Sequence, residues 1–262
     1  MFRSLNVAAT GMAAQQMRLE GISHNIANSN TVGFKRQRVE FQDLLYQIVR
    51  QPGAATGDTT QSPVGVHAGS GVRSVGVVAI QEQGTFLMTD NPLDVAVEGR
   101  GFIPVLRDDG TMAYTRAGNL KSDATGRLVT TDGLPIDPPI TIPAEATSVT
   151  ISPSGQVAVT LPGEPDPVEV GQITTATFIN PAGLRSVGHN LLERTIASGE
   201  PNFNEPGSNG HGTLLQGALE QSNVDMVEEM VGLISAQRSY EINSKVITTA
   251  DQMLQSATEM VR

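Results

Sequence analysis

The sequence predicts an α+β fold: one helix at each chain end, the two forming a coiled-coil-type layer, and a central β-rich body of short antiparallel strands. Three observations predict it. Apolar residues recur at heptad spacing at both ends. The middle breaks into short β-rich runs cut by turn residues. The composition, 27 Gly and 15 Pro with only ten Phe plus Tyr and no Trp, suits many turns around a Val/Ile/Leu/Ala core.

The first element follows from Leu5, Met12, Leu19 and Ile26, which repeat every seven residues, with Ala8, Gln15 and Ile22 three places further on. That is a narrow, partly polar seam at coiled-coil spacing. It ends in the polar run NIANSNTVGFK (25–35), where Asn28 or Asn30 can take the left-handed conformation that closes a helix and Gly33 permits a sharp exit.

The last element repeats more strongly, through Met226, Leu233, Tyr240, Ile247, Leu254 and Val261. Ala236, Asn243, Ala250 and Ala257 lie three places after four of these. Large residues at one seam position and small ones at the other let a neighbouring helix approach closely. Ser222 or Asn223 is expected to cap this helix, and Asp225, Glu228 and Glu229 suit its N-terminal dipole. A two-helix pair buries too little to be stable alone, so the seams call for helices from other subunits.

Between the helices, 71–80, 93–97, 101–106, 148–152, 156–160 and 176–179 read as strands. Turns are expected at Asp109-Gly110, Asp123 to Gly126, Asp132-Gly133 and Pro153 to Gly155. Residues 51–70 and 199–213 read as extended or loop segments. The expected organisation is a terminal-helix region (1–30 and 223–262), a connecting region (31–85 and 196–222) and a β-rich region (86–195).

The net charge of −10 is unevenly placed: +3 over residues 1–50, −3 over 223–262, and −10 between them. An acidic body argues against nucleic-acid binding, and the opposite signs of the two ends suggest that they meet. With no Cys there are no disulfides, thiolate metal sites or thiol nucleophiles. The start, MFRSLNVAATGMAAQQMRLEG, has no continuous apolar stretch and is not a general secretory signal, and no run is long enough to span a bilayer.

No catalytic constellation emerges, so no catalytic, cofactor or metal residue is assigned. His24, His67, His189 and His211 are scattered and read as solvated or loop histidines. The glycine pairs at 69/71 and 99/101 lack the third glycine of a dinucleotide loop, and Asp108-Asp109-Gly110 lacks the later ligands of a calcium loop. The basic cluster Lys35-Arg36-Gln37-Arg38 has no interleaved aromatics for base stacking and suits a junction between domains or subunits.

The motif Asn25-Ile-Ala-Asn28 with Thr31-Val-Gly33-Phe34-Lys35 resembles the N-terminal signature of the axial proteins of the bacterial flagellum, the rod and hook subunits. Residues 222–231, 237–245 and 249–254 resemble the C-terminal signature of the same family. Residues 34–54, 90–103 and 113–133 are more similar to distal-rod members than to hook members. The resemblance covers essentially the whole chain.

It implies that the terminal helices pair and form the inner layer of a helical tube, with Leu5, Met12, Leu19, Ile22, Ile26, Met226, Leu233, Tyr240, Ile247 and Leu254 shared among neighbouring subunits. Phe34 would anchor the emerging chain. The stretch 46–63, with Tyr46, Gln47, Arg50, Gln51, Pro52, Gly53 and Pro63, would brace neighbours and keep the polymer stiff. The implied function is that of a non-enzymatic structural subunit of the distal rod, a straight hollow shaft carrying torque to the hook. The implied partners are further copies of the chain, proximal-rod and hook proteins, the surrounding ring proteins, the export apparatus and a rod cap. There would be no cofactor, nucleic acid or membrane insertion. Export unfolded through the flagellum's own channel would fit the start of the chain. A hook or proximal-rod subunit, or a secreted β-rich adhesion protein with oligomerisation helices, stays open at this point.

Overall fold

The computed structural model describes residues 2–53, 63–163 and 166–260. The chain forms two compact units, one within 1–27, 37–78 and 225–262 and the other within 28–36 and 79–224. It passes between them four times, at 27/28, 36/37, 78/79 and 224/225. The architecture is α+β, with two long helices and short, mostly antiparallel strand pairs.

The first unit contains α1 (Phe2–Ala27), β1 (Gln37–Asp43), β2 (Gln47–Arg50), β3 (Val66–Ala68), β4 (Val72–Ala79, whose last residue falls in the second unit) and α2 (Met226–Met260). The helices run antiparallel, since Gly11 of α1 faces Asn243 of α2 and Ile22 faces Gly232. The residues that close the pair are small: Ala8, Ala14, Ala236 and Ala250 are all buried. α2 is capped by Asp225, not by Ser222 or Asn223. The Asp225 Oδ1 accepts from the amides of Val227 (2.8 Å) and Glu228 (3.2 Å), leaving Asn223 for a different task.

Two strand ribbons complete this unit. β1 pairs with β4, and β2 pairs antiparallel with β3 through a bulge between Ile48 and Arg50. The segments 37–43, 47–50 and 66–68 are therefore strands where the sequence showed none or an extended loop. Most of their side chains are exposed, and only β1 keeps a short alternation, with Gln37 and Val39 half-buried and each followed by an exposed neighbour.

The second unit is the β body. A four-stranded sheet runs in the order Arg185–Gly188, Leu191–Glu193, Met112–Thr115, Ile103–Leu106. A three-stranded meander comprises Ser148–Ile151, Gln156–Thr160 and Val168–Gln172. Val95–Glu98 pairs with Thr213–Gln216, and Phe86–Met88 with Ala218–Glu220. Thr175–Thr177 pairs with Asn202–Asn204, a strand inside the expected 199–213 loop.

The core gathers Val95, Val97, Ile103, Leu128, Ile136 and Val157 with their neighbours. A satellite forms around Tyr114, whose ring meets Phe178 edge-on at 4.8 Å between centroids. The expected turns fall at Gly110, Gly126, Gly133 and Gly155, each at positive φ.

Candidate functional site

The polar run that ends α1 has a specific job. Asn25, buried near the end of the helix, donates from Nδ2 to the Gln37 carbonyl (2.9 Å) and accepts at Oδ1 from the Gln37 amide (2.8 Å). One side chain thus satisfies both main-chain groups of the first residue of β1. β1 then lies close on α1 because Gly21 has no side chain: a Cβ there would stand 3.1 Å from Val39 Cγ2.

Neither Asn28 nor Asn30 takes the left-handed conformation. Asn28 instead holds a turn, its carbonyl accepting from the Thr31 amide (3.1 Å) and its Oδ1 from the Thr31 hydroxyl (3.1 Å). The positive φ falls at Gly33 (+69°), where a Cβ would stand 2.7 Å from the Ala117 amide nitrogen. Phe34 is half-buried, and its amide reaches back to the Thr31 carbonyl.

Lys35 enters a buried charge cluster within the β body. Its Nζ lies 2.6 Å from Glu220 Oε1 and donates to the Glu82 carbonyl (2.6 Å). Arg116 Nε donates to Glu220 Oε2 (2.6 Å), while its remaining nitrogens hold the carbonyls of Val97, Gly99 and Gly101. The Gly84 amide also donates to Glu220 Oε1 (3.0 Å).

Glu220 is 0 % exposed, Lys35 8 % and Arg116 7 %. Burial pushes the Glu220 carboxyl up, but the Arg116 charge and the hydrogen bonds from Lys35 and Arg116 outweigh it and hold the group below its ordinary range. Burial holds Lys35 below the usual lysine range, opposed in part by Glu220.

Asn223 completes a clamp on the same segments. It accepts from the Arg36 amide (2.7 Å) and donates to the carbonyls of Ile80 (3.0 Å) and Glu82 (3.1 Å). Residues 33–36, 80–84 and 220–223 are thereby tied together inside the β body. Sequence reasoning placed Lys35 in a junction but missed Glu220, Arg116 and Asn223. The one available signal was an isolated charge in each of two otherwise apolar or small-residue runs, AYTRAG and GALEQ.

Among the predicted packing residues, Ile22 is buried, while Leu5, Met12, Leu19, Ile26, Leu233, Ile247 and Leu254 are half-buried. Met226 and Tyr240 are exposed, and Val261 and the side chain of Ala257 lie outside the described residues. A second set of apolar side chains on α2, Val227, Val231, Ile234, Ile242, Val246 and Met253, is exposed.

The β2–β3 ribbon is equally bare. Leu45 is 90 % exposed, and Tyr46, Ile48, Val49, Val64 and Val66 are also exposed. Gln47, Arg50, Gln51, Pro52, Gly53 and Pro63 are exposed as well, and residues 54–62 lie outside the described residues.

Of the solvated-or-loop reading of the histidines, the loop part holds at His211, which lies outside any helix or strand, but it is not solvated. It is buried, with Nδ1 2.9 Å from the Thr175 hydroxyl and Nε2 3.1 Å from the Thr177 hydroxyl, and burial holds its pKa below the ordinary value. Its neighbourhood of Gly and Ser gave no apolar pattern from which this burial could be read.

Paired terminal helices, a β body clamped onto the segments that leave it, and apolar faces left uncovered define a structural building block. The model for the flagella basal body rod protein family matches residues 5–35. The flagellar hook protein FlgE/F/G D1 domain model matches 96–159, and the flagellar basal body rod FlgEFG protein C-terminal model matches 215–260.

Over nearly its full length the chain is similar to proteins named flagellar basal-body rod protein FlgG. It is 53 % identical to that of Caulobacter vibrioides, covering 98 % of this chain and 99 % of the relative. It is 46 % identical to that of Borreliella burgdorferi and 39 % to that of Bacillus subtilis, each with full coverage of both chains. The chain belongs to the flagellar basal-body rod protein family.

Proposed function

We propose that this chain is a structural subunit of the distal rod of the flagellar basal body. Many copies build a straight, hollow shaft that carries motor torque to the hook. The observation that carries this reading is the apolar surface the chain leaves uncovered on α2 and on the β2–β3 ribbon. Exposed apolar side chains gathered on one element mark a surface that another chain covers, and each square ångström so covered contributes ~25 cal/mol.

In this reading the terminal helices form the inner layer of the tube. Segment 46–63 braces adjacent subunits and stiffens the polymer. Proximal-rod and hook proteins join axially, ring proteins surround the shaft, and subunits arrive through the flagellar export apparatus beneath a rod cap. The acidic β body forms much of the outer surface. No helix among the described residues is long and apolar enough to cross a membrane.

The test uses Ile234→Glu and Ile242→Glu, both at exposed positions of α2. The expected result is a purified subunit with unchanged helicity and thermal stability. Cells carrying the variants as their only copy lack complete basal bodies in electron micrographs and do not swim. Intact, functional rods in those cells would overturn the reading of this face as an assembly surface.

A further inference from the structure

The turn before His211 carries a sequence feature with a chemistry of its own. Of the thirteen asparagines in the chain, only Asn209 is followed by glycine. Asn91 and Asn180 precede proline, which has no N–H, and the others precede residues with side chains that crowd the next nitrogen.

Asn209 (φ +49°) and Gly210 (φ +82°) form the tip of a tight turn closed by the His211 amide donating to the Ser208 carbonyl (2.8 Å). Both tip residues are exposed, and a Cβ built on Gly210 would meet nothing within 4 Å. Among the described residues the Gly210 amide donates to no acceptor. The Asn209 side chain has one long contact, from Nδ2 to Asn204 Oδ1 at 3.4 Å. Asn25 and Asn223, by contrast, are tied at both ends of their amides.

We propose that Asn209 is a self-modification site at which the folded chain deamidates without an enzyme. The Gly210 main-chain nitrogen attacks Asn209 Cγ. The new C–N bond closes a five-membered succinimide, and Nδ2 leaves as ammonia with the proton released by the Gly210 amide. Water then adds to one of the two ring carbonyls, giving aspartate or, by opening the other side, isoaspartate. Nothing is oxidised or reduced, and solvent water is the sole co-reactant.

Two consequences follow. An already acidic chain gains a further negative charge two residues before the buried His211. The isoaspartyl product also adds a carbon to the main chain of a turn held by the Gly207 amide on the Gly212 carbonyl (3.0 Å). That lengthening strains the seating of His211 between Thr175 and Thr177.

The test incubates the full-length protein in mildly alkaline buffer and maps its peptides by mass spectrometry, with enzymatic methylation to mark isoaspartate. An Asn209→Ser variant and wild-type protein unfolded in urea run in parallel. The expected result is conversion at Asn209 about tenfold above any other asparagine, because glycine alone leaves the attacking nitrogen unhindered. Asn209→Ser shows no product in that peptide, and the converted fraction melts below fresh protein. Conversion in urea but not in the folded protein would show that the native turn holds Cγ away from the Gly210 nitrogen and would overturn the proposal. So would faster conversion at any other asparagine, or none in either state.

Discussion

Replacing Glu220 by glutamine tests whether the buried charge cluster is the main polar restraint of the β body. The side chain keeps its shape and loses one negative charge. Lys35 and Arg116, both nearly buried, are left without a counter-charge, and Arg116 retains its three carbonyl acceptors while Lys35 retains one. Removing one partner of a buried ion pair typically costs about 3–5 kcal/mol, because the remaining charge stays desolvated. At 2–4 °C per kcal/mol for a unit of this size, melting should fall by roughly 6–20 °C.

Lys35→Met is the informative partner. It leaves Glu220 paired with Arg116 and no net charge stranded, so its loss should be clearly smaller, on the order of 1–2 kcal/mol. Urea unfolding of the full chain followed by circular dichroism measures both.

The pH dependence supplies a second readout. The folded pKa of Glu220 lies below the unfolded carboxylate value, so its contribution is complete above that unfolded value and is lost as pH falls through the folded one. Glu220→Gln should therefore lose part of the acid limb of the stability curve. A Glu220→Gln variant within about 1 kcal/mol of wild type, or a Lys35→Met variant equally damaging, would refute the argument.

Two further outcomes can be checked separately. Gly118→Ala places a Cβ 1.5 Å from the Val95 carbonyl oxygen, where the main chain must move. It should cost about 3 kcal/mol or more by chemical denaturation, against about 1–2 kcal/mol for Gly110→Ala, which meets open space and is strained only by its positive φ. Asp123 is held at a pKa of about 2, first by the Thr125 hydroxyl and further by the amides of Thr125 and Arg127. Its stabilisation of the turn is present above the ordinary aspartate value and lost as pH falls through about 2, so amide chemical shifts at Thr125 and Arg127 should titrate there, and Asp123→Asn should abolish that step.

The terminal helices were legible because their signal is periodic and local. The heptads at Leu5 to Ile26 and Met226 to Leu254 name both elements, and the small residues at 236 and 250 already mark where a partner comes close. The hairpin glycines at 110, 126, 133 and 155 were legible for a similar reason, since a positive φ tolerates few other residues. Residues 37–43 and 47–50 were not legible as strands: most of their side chains are exposed, so burial imposes little alternation on them.

The cap of α2 and the end of α1 were decided by competition that a linear reading cannot weigh. Asn223 could have capped the helix, but the fold brings Arg36, Ile80 and Glu82 within its reach, and Asp225 takes the cap instead. The sequence by itself determined which segments are helical, where turns fall and that the ends carry apolar seams, because those properties depend on neighbours a few residues away. Only the tertiary structure decided that Lys35, Arg116 and Glu220, up to 185 positions apart, share one buried site. A single charge in a sequence has no periodicity, and its partner is set by the path of the whole chain.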